Sequence, residues 1–413
     1  MTKTTSLDTN AEFAARLKRV DRFFADEYLC AGKLAGLLVQ VWRNGKLALN
    51  SPQGMADRER GVPMAEDTIF RIYSMTKPIT SVAFMMLFEQ GLVALDDPVA
   101  KYIPSWADLR VFEGGQLGAF KTRAPTRPMQ IIDLLRHTSG LTYGFQLYTP
   151  VDAAYRKLKL GNVELAGTLD DMIAALADLP LEFSPGTAWN YSVSTDVLGY
   201  LIGQISGTPF ETFLQRKIFD PLGMADTGFH VPAGKAGRLA ACYAVGQLGR
   251  AVQADSPVTL QDDPRTSSYL KPPTFYSGGG GLVSTAADYM RFARMLLGGG
   301  TLDGVRILGR KTLEMMTANH LPGGADIPQL SRSLFSEAAY NGIGFGLGFA
   351  TTLEPAQTLA LGSAGDFFWG GAASTFFVVD PREDMVMLLL TQLMPSSAYP
   401  LRRQLRTLVH GAL

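Results

Sequence analysis

The sequence predicts an α/β fold of the α+β kind: an antiparallel sheet flanked by helices, with a helical lobe inserted in the middle of the chain. Three observations carry this expectation. Strand-like runs gather near both ends, helix-like runs fill the middle, and Asn44-Gly45 sits between two β-rich runs as a strong hairpin signal. The expected division is an α/β domain from 1–95 and 205–413, with the helical lobe at 96–204.

In chain order, Phe13, Leu17, Val20, Phe23 and Phe24 recur at helical spacing, which predicts an amphipathic helix over 10–29. The run LAGLLVQVWRNGKLALN predicts the first hairpin of the sheet. Residues 75–95 are apolar on more than one face and predict a buried helix, loosened at Gly91 and ended by Asp96, Asp97 and Pro98. Between 96 and 204, helical patterns alternate with Pro and Gly breaks and few strands are expected. Thr285 and Asp288 read as a capping box opening a helix through Leu297, and Asp303-Gly304 as a second hairpin turn. Helix returns from Lys311. Residues 341–349, 374–380 and 384–393 read as consecutive strands, and YPLRRQLRTLVHGAL as a closing amphipathic helix.

Bulk properties narrow the function. The 413 residues are 46% hydrophobic and 18% charged, an ordinary globular balance. Lys plus Arg and Asp plus Glu both count 38, so no net field draws nucleic acid or an anionic membrane. The expected partner is small and neutral. Cys30 and Cys242 match no metal or disulfide pattern and read as buried small hydrophobes, so neither metal nor cofactor is expected. The N-terminal twenty residues lack the apolar core of a secretory signal, and no run reaches the ~18 apolar residues of a spanning helix. A cytoplasmic protein is the expectation.

The chemistry is concentrated in RIYSMTKPITSVAFMM. Ser74 stands at the start of the buried helix and Lys77 one turn later, so both side chains emerge on one side. A serine hydroxyl is a poor nucleophile until a neighbour takes its proton, and a lysine does so at neutral pH only when burial or a nearby cation lowers its pKa. The Ser74 N–H, free of an intrahelical partner, is placed to meet an oxyanion. Tyr191, in Trp-Asn-Tyr-Ser-Val after the turn Ser184-Pro185-Gly186, can share a proton with the serine and a leaving group. Trp369-Gly370-Gly371 precedes Ala372, whose N–H is a second candidate oxyanion donor beside glycines that let substrate approach the backbone. The glycine run 278–281 lacks the Lys and Ser/Thr of a phosphate loop and reads as a structural loop.

These residues resemble the serine β-lactamase and penicillin-binding superfamily, and most closely the family VIII carboxylesterases and their class C β-lactamase relatives. The resemblance runs through residues 70–104, LLRHTSGL (134–141), FSPGTAWNYSV (183–193), DPLGMADTGF (220–229), SGGGGLVSTAADYMRF (277–292) and GFGLGF (344–349). It implies a cleft between the two lobes, with Ser74 attacking, Lys77 deprotonating it, Tyr191 relaying the proton, and the N–H groups of Ser74 and Ala372 holding the oxyanion. Two positions depart from the β-lactamase pattern. Val193 stands where an asparagine is usual, and Trp369-Gly370-Gly371 stands for Lys-Thr-Gly. Tryptophan offers a stacking wall in place of a cation for a carboxylate, so neutral esters are expected over anionic lactams.

His137 invites a Ser-His-Asp triad, but no G-x-S-x-G elbow occurs, and a structural role is expected for it; Asp133 either pairs with it or caps a helix. Of Tyr143, Phe145, Tyr148, Trp189 and Trp369, only the last is taken as a pocket wall. Acyl transfer to an alcohol and β-lactam hydrolysis are other uses of the same acyl-serine; the lack of an export signal argues against cleavage of D-amino-acid peptides, and the presence of Ser74, Lys77 and Tyr191 together argues against a non-catalytic acyl sensor.

Overall fold

The computed structural model describes residues 6–161, 167–246, 256–332 and 340–413. Its frame is an eight-stranded antiparallel sheet drawn from the two ends of the chain. The N-terminal part supplies β1 (Gly36–Arg43), β2 (Lys46–Asp57) and β3 (Val62–Pro63). The C-terminal part supplies β4 (Ile343–Phe345), β5 (Ala350–Thr352), β6 (Phe367–Gly370), β7 (Phe376–Asp380) and β8 (Met385–Thr391). The order across the sheet is β4-β5-β6-β7-β8-β1-β2-β3. The last long strand therefore lies against the first, with Leu37 opposite Thr391 and Arg43 opposite Met385. Asn44 and Gly45 both take positive φ, 48° and 77°, as a two-residue hairpin requires.

Every residue of β7 and β8 is buried, so helices cover both faces there. Six helices frame the sheet and the site: α1 (Ser6–Phe24), α2 (Thr76–Glu89), α3 (Pro150–Lys157), α4 (Ser194–Ser206), α5 (Ala286–Leu297) and α6 (Leu401–His410). α1 packs on β2 and on α6, while α5 lies on β7 and β8, with the Tyr289 ring 5.2 Å from that of Phe377. α2 is buried along nearly its whole length and packs against α4.

The structure corrects several expectations. α2 stops at Glu89, because Gly91 with φ 71° closes it before the acidic residues are reached. Thr285 caps α5 by accepting from the Asp288 N–H, but the Asp288 carboxylate turns away to the Asp226 N–H and the Thr227 hydroxyl, so the reciprocal half of the box is missing. A small hairpin, Val111–Gly114 with Lys121–Arg123, interrupts the helical middle. β5 and β6 lie outside the strands the sequence pattern predicts; Trp369 and Gly370 end β6, and residues 371–375 form the turn into β7. Cys242 is buried, but Cys30 is exposed.

Candidate active site

α2 is preceded by a tight turn, Tyr73–Met75, in which Tyr73 adopts a left-handed φ of 42°. Such a conformation in a bulky residue is strained and persists only where its surroundings enforce it. It presents Ser74, half-buried, at the floor of a cleft of about 510 Å³. One turn on, Lys77 is only 2% exposed. Its Nζ donates to Ser74 Oγ at 3.2 Å and to the Gly279 carbonyl at 2.6 Å, and lies over the Tyr191 ring, 4.5 Å from its centre. Burial pushes the Lys77 ammonium down to about 7, against the opposing pull of the Asp196 carboxylate.

Tyr191, also 2% exposed, hydrogen-bonds Ser74 and accepts from Trp369 Nε1 at 3.4 Å. Burial raises its pKa, an effect the bonds from Ser74 and Trp369 only moderate, so it stays a neutral phenol at ordinary pH. Its backbone carbonyl is held by Gln146 Nε2 at 2.8 Å. Trp369, Gly370, Gly371 and Ala372 line the cleft beside Ser74. Arg402, at the start of α6, donates to the carbonyls of Gly371 and Thr375 and so ties down the turn that carries Ala372.

Five further aromatic residues line the wall: Tyr143, Phe145, Tyr155, Trp189 and Tyr340. Tyr143 and Phe145 stack at 4.7 Å, and Tyr340 stacks with Trp369 at 6.3 Å. Trp369, the one ring expected as a wall, is therefore joined there by Tyr143, Phe145 and Trp189, while Tyr148 is 72% exposed and lies outside the lining. Arg156 reaches the cleft, but its guanidinium is engaged by Asp152 at 2.6 Å and by the Gly144 carbonyl.

His137 is buried with its Nδ1 3.2 Å from the Ser192 hydroxyl, and its ring packs 5.0 Å from Tyr191. Burial first, and the charge of Lys77 second, hold its pKa well below the ordinary range, so it is a neutral packing group. Asp133 does not pair with it: it closes a capping box with Gln130 and binds Arg127 and Arg136. Val193 is fully buried ahead of α4.

The glycine run that read as a plain loop is part of this site. The loop threads between α2 and α4: Thr80 Oγ1 donates to Gly278 O at 2.9 Å, and Thr76 Oγ1 accepts from the Leu282 N–H. A Cβ at Gly278 would stand 2.5 Å from the Thr195 carbonyl, and one at Gly279 would stand 2.7 Å from both Asp196 Oδ2 and the Tyr143 hydroxyl. The signal was present as four glycines after Ser277, but glycine chosen for lack of space looks the same in sequence as glycine chosen for a turn.

A helix-flanked antiparallel sheet with a serine and lysine one turn apart at the mouth of a buried helix is the β-lactamase-like architecture. The beta-lactamase family model matches residues 14–411, and the chain belongs to that family. Protein Rv1367c of Mycobacterium tuberculosis is 38% identical over 368 residues, covering 88% of this chain and 87% of its own. Esterase EstB of Burkholderia gladioli is 31% identical over 410 residues, with 94% and 93% covered. Among solved structures, EstCE1, described as a hydrolase with promiscuous acyltransferase activity, superposes with a TM-score of 0.78 at 26% identity, over 97% of this chain and 99% of its own. No helix among the described residues is long and apolar enough to cross a membrane.

Proposed function

We propose that this protein is a serine carboxylesterase of the family VIII type, hydrolysing short-chain, neutral carboxylic esters through an acyl-Ser74 intermediate. The observation that carries the reading is Lys77: buried, pushed down to about 7, and 3.2 Å from the Ser74 hydroxyl, it can accept a proton at neutral pH. Ser74 Oγ attacks the ester carbonyl as its proton passes to Lys77. The N–H groups of Ser74 and Ala372 receive the negative charge on the carbonyl oxygen. Tyr191, a neutral phenol within reach of Ser74, hands a proton to the departing alkoxide and is replenished from Lys77. Water then enters, gives a proton back along the same path, and releases the acid with Ser74 restored.

The aromatic rings of the lining favour an apolar acyl group, and of the cations among the described lining residues Arg156 and Arg402 are engaged by protein acceptors while Lys159 is a further positive charge. In this reading the body of 1–95 and 205–413 supplies Ser74, Lys77 and Trp369, the lobe of 96–204 supplies Tyr191, and the enzyme acts in the cytoplasm. A second use is favoured by EstCE1, whose described acyltransferase activity corresponds to an alcohol intercepting the acyl-serine in place of water.

The test sets a short-chain p-nitrophenyl ester against a chromogenic cephalosporin, with and without a primary alcohol, for the wild type and Ser74→Ala. Faster ester cleavage, lost by about 10³-fold or more in the variant, supports the reading. Preference for the cephalosporin makes the protein a β-lactamase, and ester exchange outrunning hydrolysis makes it an acyltransferase.

A further inference from the structure

One buried acid near this site takes no part in these proton transfers. Asp196, in the first turn of α4, is fully buried, and an acidic residue there reads in sequence merely as a complement to the helix dipole. In the fold its Oδ1 accepts from the Ser277 hydroxyl at 2.5 Å and from the Gly279 N–H at 2.9 Å. The same glycine's carbonyl accepts from Lys77 Nζ at 2.6 Å. Asp196 and Lys77 are thus joined through one glycine residue and not by an ion pair. The second oxygen, Oδ2, is buried beside the Tyr143 hydroxyl, which hydrogen-bonds the Asp196 side chain.

We propose that Asp196 is a positioning residue: through Ser277 and Gly279 it holds the carbonyl that aims Lys77 at Ser74, and its charge, acting at a distance, sets the pH at which Lys77 becomes a base. This rests on the esterase reading of Ser74 and Lys77 and deepens it.

The groups facing Lys77 are few. Ser74 lies in its own turn, Tyr191 and Asp196 come from the entry and first turn of α4, and Tyr143 and His137 come from the segment between them and α2. His137 and the two phenols are neutral at ordinary pH, which leaves Asp196 as the charge that favours the ammonium. Burial raises the pKa of Asp196 itself, an effect that Lys77, Ser277 and the Gly279 N–H oppose. Had Asp196 touched Lys77 directly, the pair would be locked in its charged form and useless as a base. Set one residue away, the carboxylate orients the amine and leaves it able to lose its proton.

The sign of the effect is fixed. Removing the carboxylate removes an attraction for the ammonium, so Lys77 gives up its proton at lower pH. In Asp196→Asn, which keeps an acceptor for Ser277 and Gly279, the acidic limb of kcat/KM should move from near 7 to lower pH by about one unit, roughly tenfold in the proton affinity of Lys77. A 15N NMR titration of the lysine amine should move by the same amount without reference to turnover. Ser277→Ala keeps the charge and loosens the loop; it should lower kcat severalfold while KM and the limb stay in place. An unmoved limb in Asp196→Asn overturns the proposal. Should that variant fail to fold, Ser277→Ala decides, and an unchanged kcat there overturns the proposal. An inert wild type, or activity retained by Ser74→Ala, would instead remove the esterase reading on which it rests.

Discussion

Two of the buried ionic clusters among the described residues are built on opposite plans. In the cleft, Lys77 and Asp196 are held apart by a glycine, and the Lys77 amine is pushed down to about 7. Beneath α6, Arg406 meets Asp366 directly at 2.5 Å and His410 meets Asp380 at 3.0 Å. Thr352 satisfies the other oxygen of Asp366. Burial works against the Asp380 carboxylate, but the bond from His410 prevails and holds it below its ordinary pKa. Asp366, Asp380 and His410 stand close enough to suggest a metal site, yet the acceptors are already taken by Arg406, Thr352 and His410. A buried charge given its partner ties α6 to the sheet; a buried charge denied one becomes reactive.

The contrast breaks most visibly at Lys77. Lys77→Met should reduce ester kcat/KM by about 10³-fold or more while leaving thermal stability at least as high, because an apolar side chain of similar length replaces a desolvated amine. A large fall in melting temperature would show that this cluster, too, is structural. Asp366→Ala should do the reverse. It strands Arg406 without its counter-ion, costing about 3–5 kcal/mol in a denaturant titration, while the molecules that remain folded keep their turnover within about threefold. The smallest effect is expected at Trp369→Phe, which keeps a ring in the wall but removes the donor to Tyr191. A lost hydrogen bond of about 1 kcal/mol corresponds to roughly a fivefold fall in kcat; an unchanged kcat would show that Trp369 serves only as a wall.

How much of this is legible in sequence depends on distance along the chain. Ser74 and Lys77 are three residues apart, and helical geometry alone places them together. The Asn44-Gly45 hairpin, the strands at 376–380 and 385–391 and the amphipathic α6 are equally local, and the sequence announces each of them. Tyr191 and Ala372 stand out locally by residue type and by their turns, but nothing local brings either to the helix start, and the resemblance is what joins them to Ser74. Asp196, Tyr143 and the loop around Gly279 stay silent because their meaning lies in contacts between α2, α4 and a segment far from both. The strands β5 and β6 escape for a related reason: three- and four-residue strands carry too little pattern to register before their neighbours are known. The end of α2 falls earlier than its acidic residues suggest, because a left-handed glycine such as Gly91 is the stronger stop.

The pairing of β1 with β8 also governs how the chain comes off the ribosome. The first long strand waits for a partner at residues 385–391, and until that partner emerges an edge of β1 stays unpaired. A nascent chain can form the β1–β2 hairpin early but can close the sheet only once residues 385–391 are made, and pairing across so long a stretch of chain is intrinsically slow. A chain that stops before residue 385 lacks β8 and leaves the edge of β1 open for pairing with another chain.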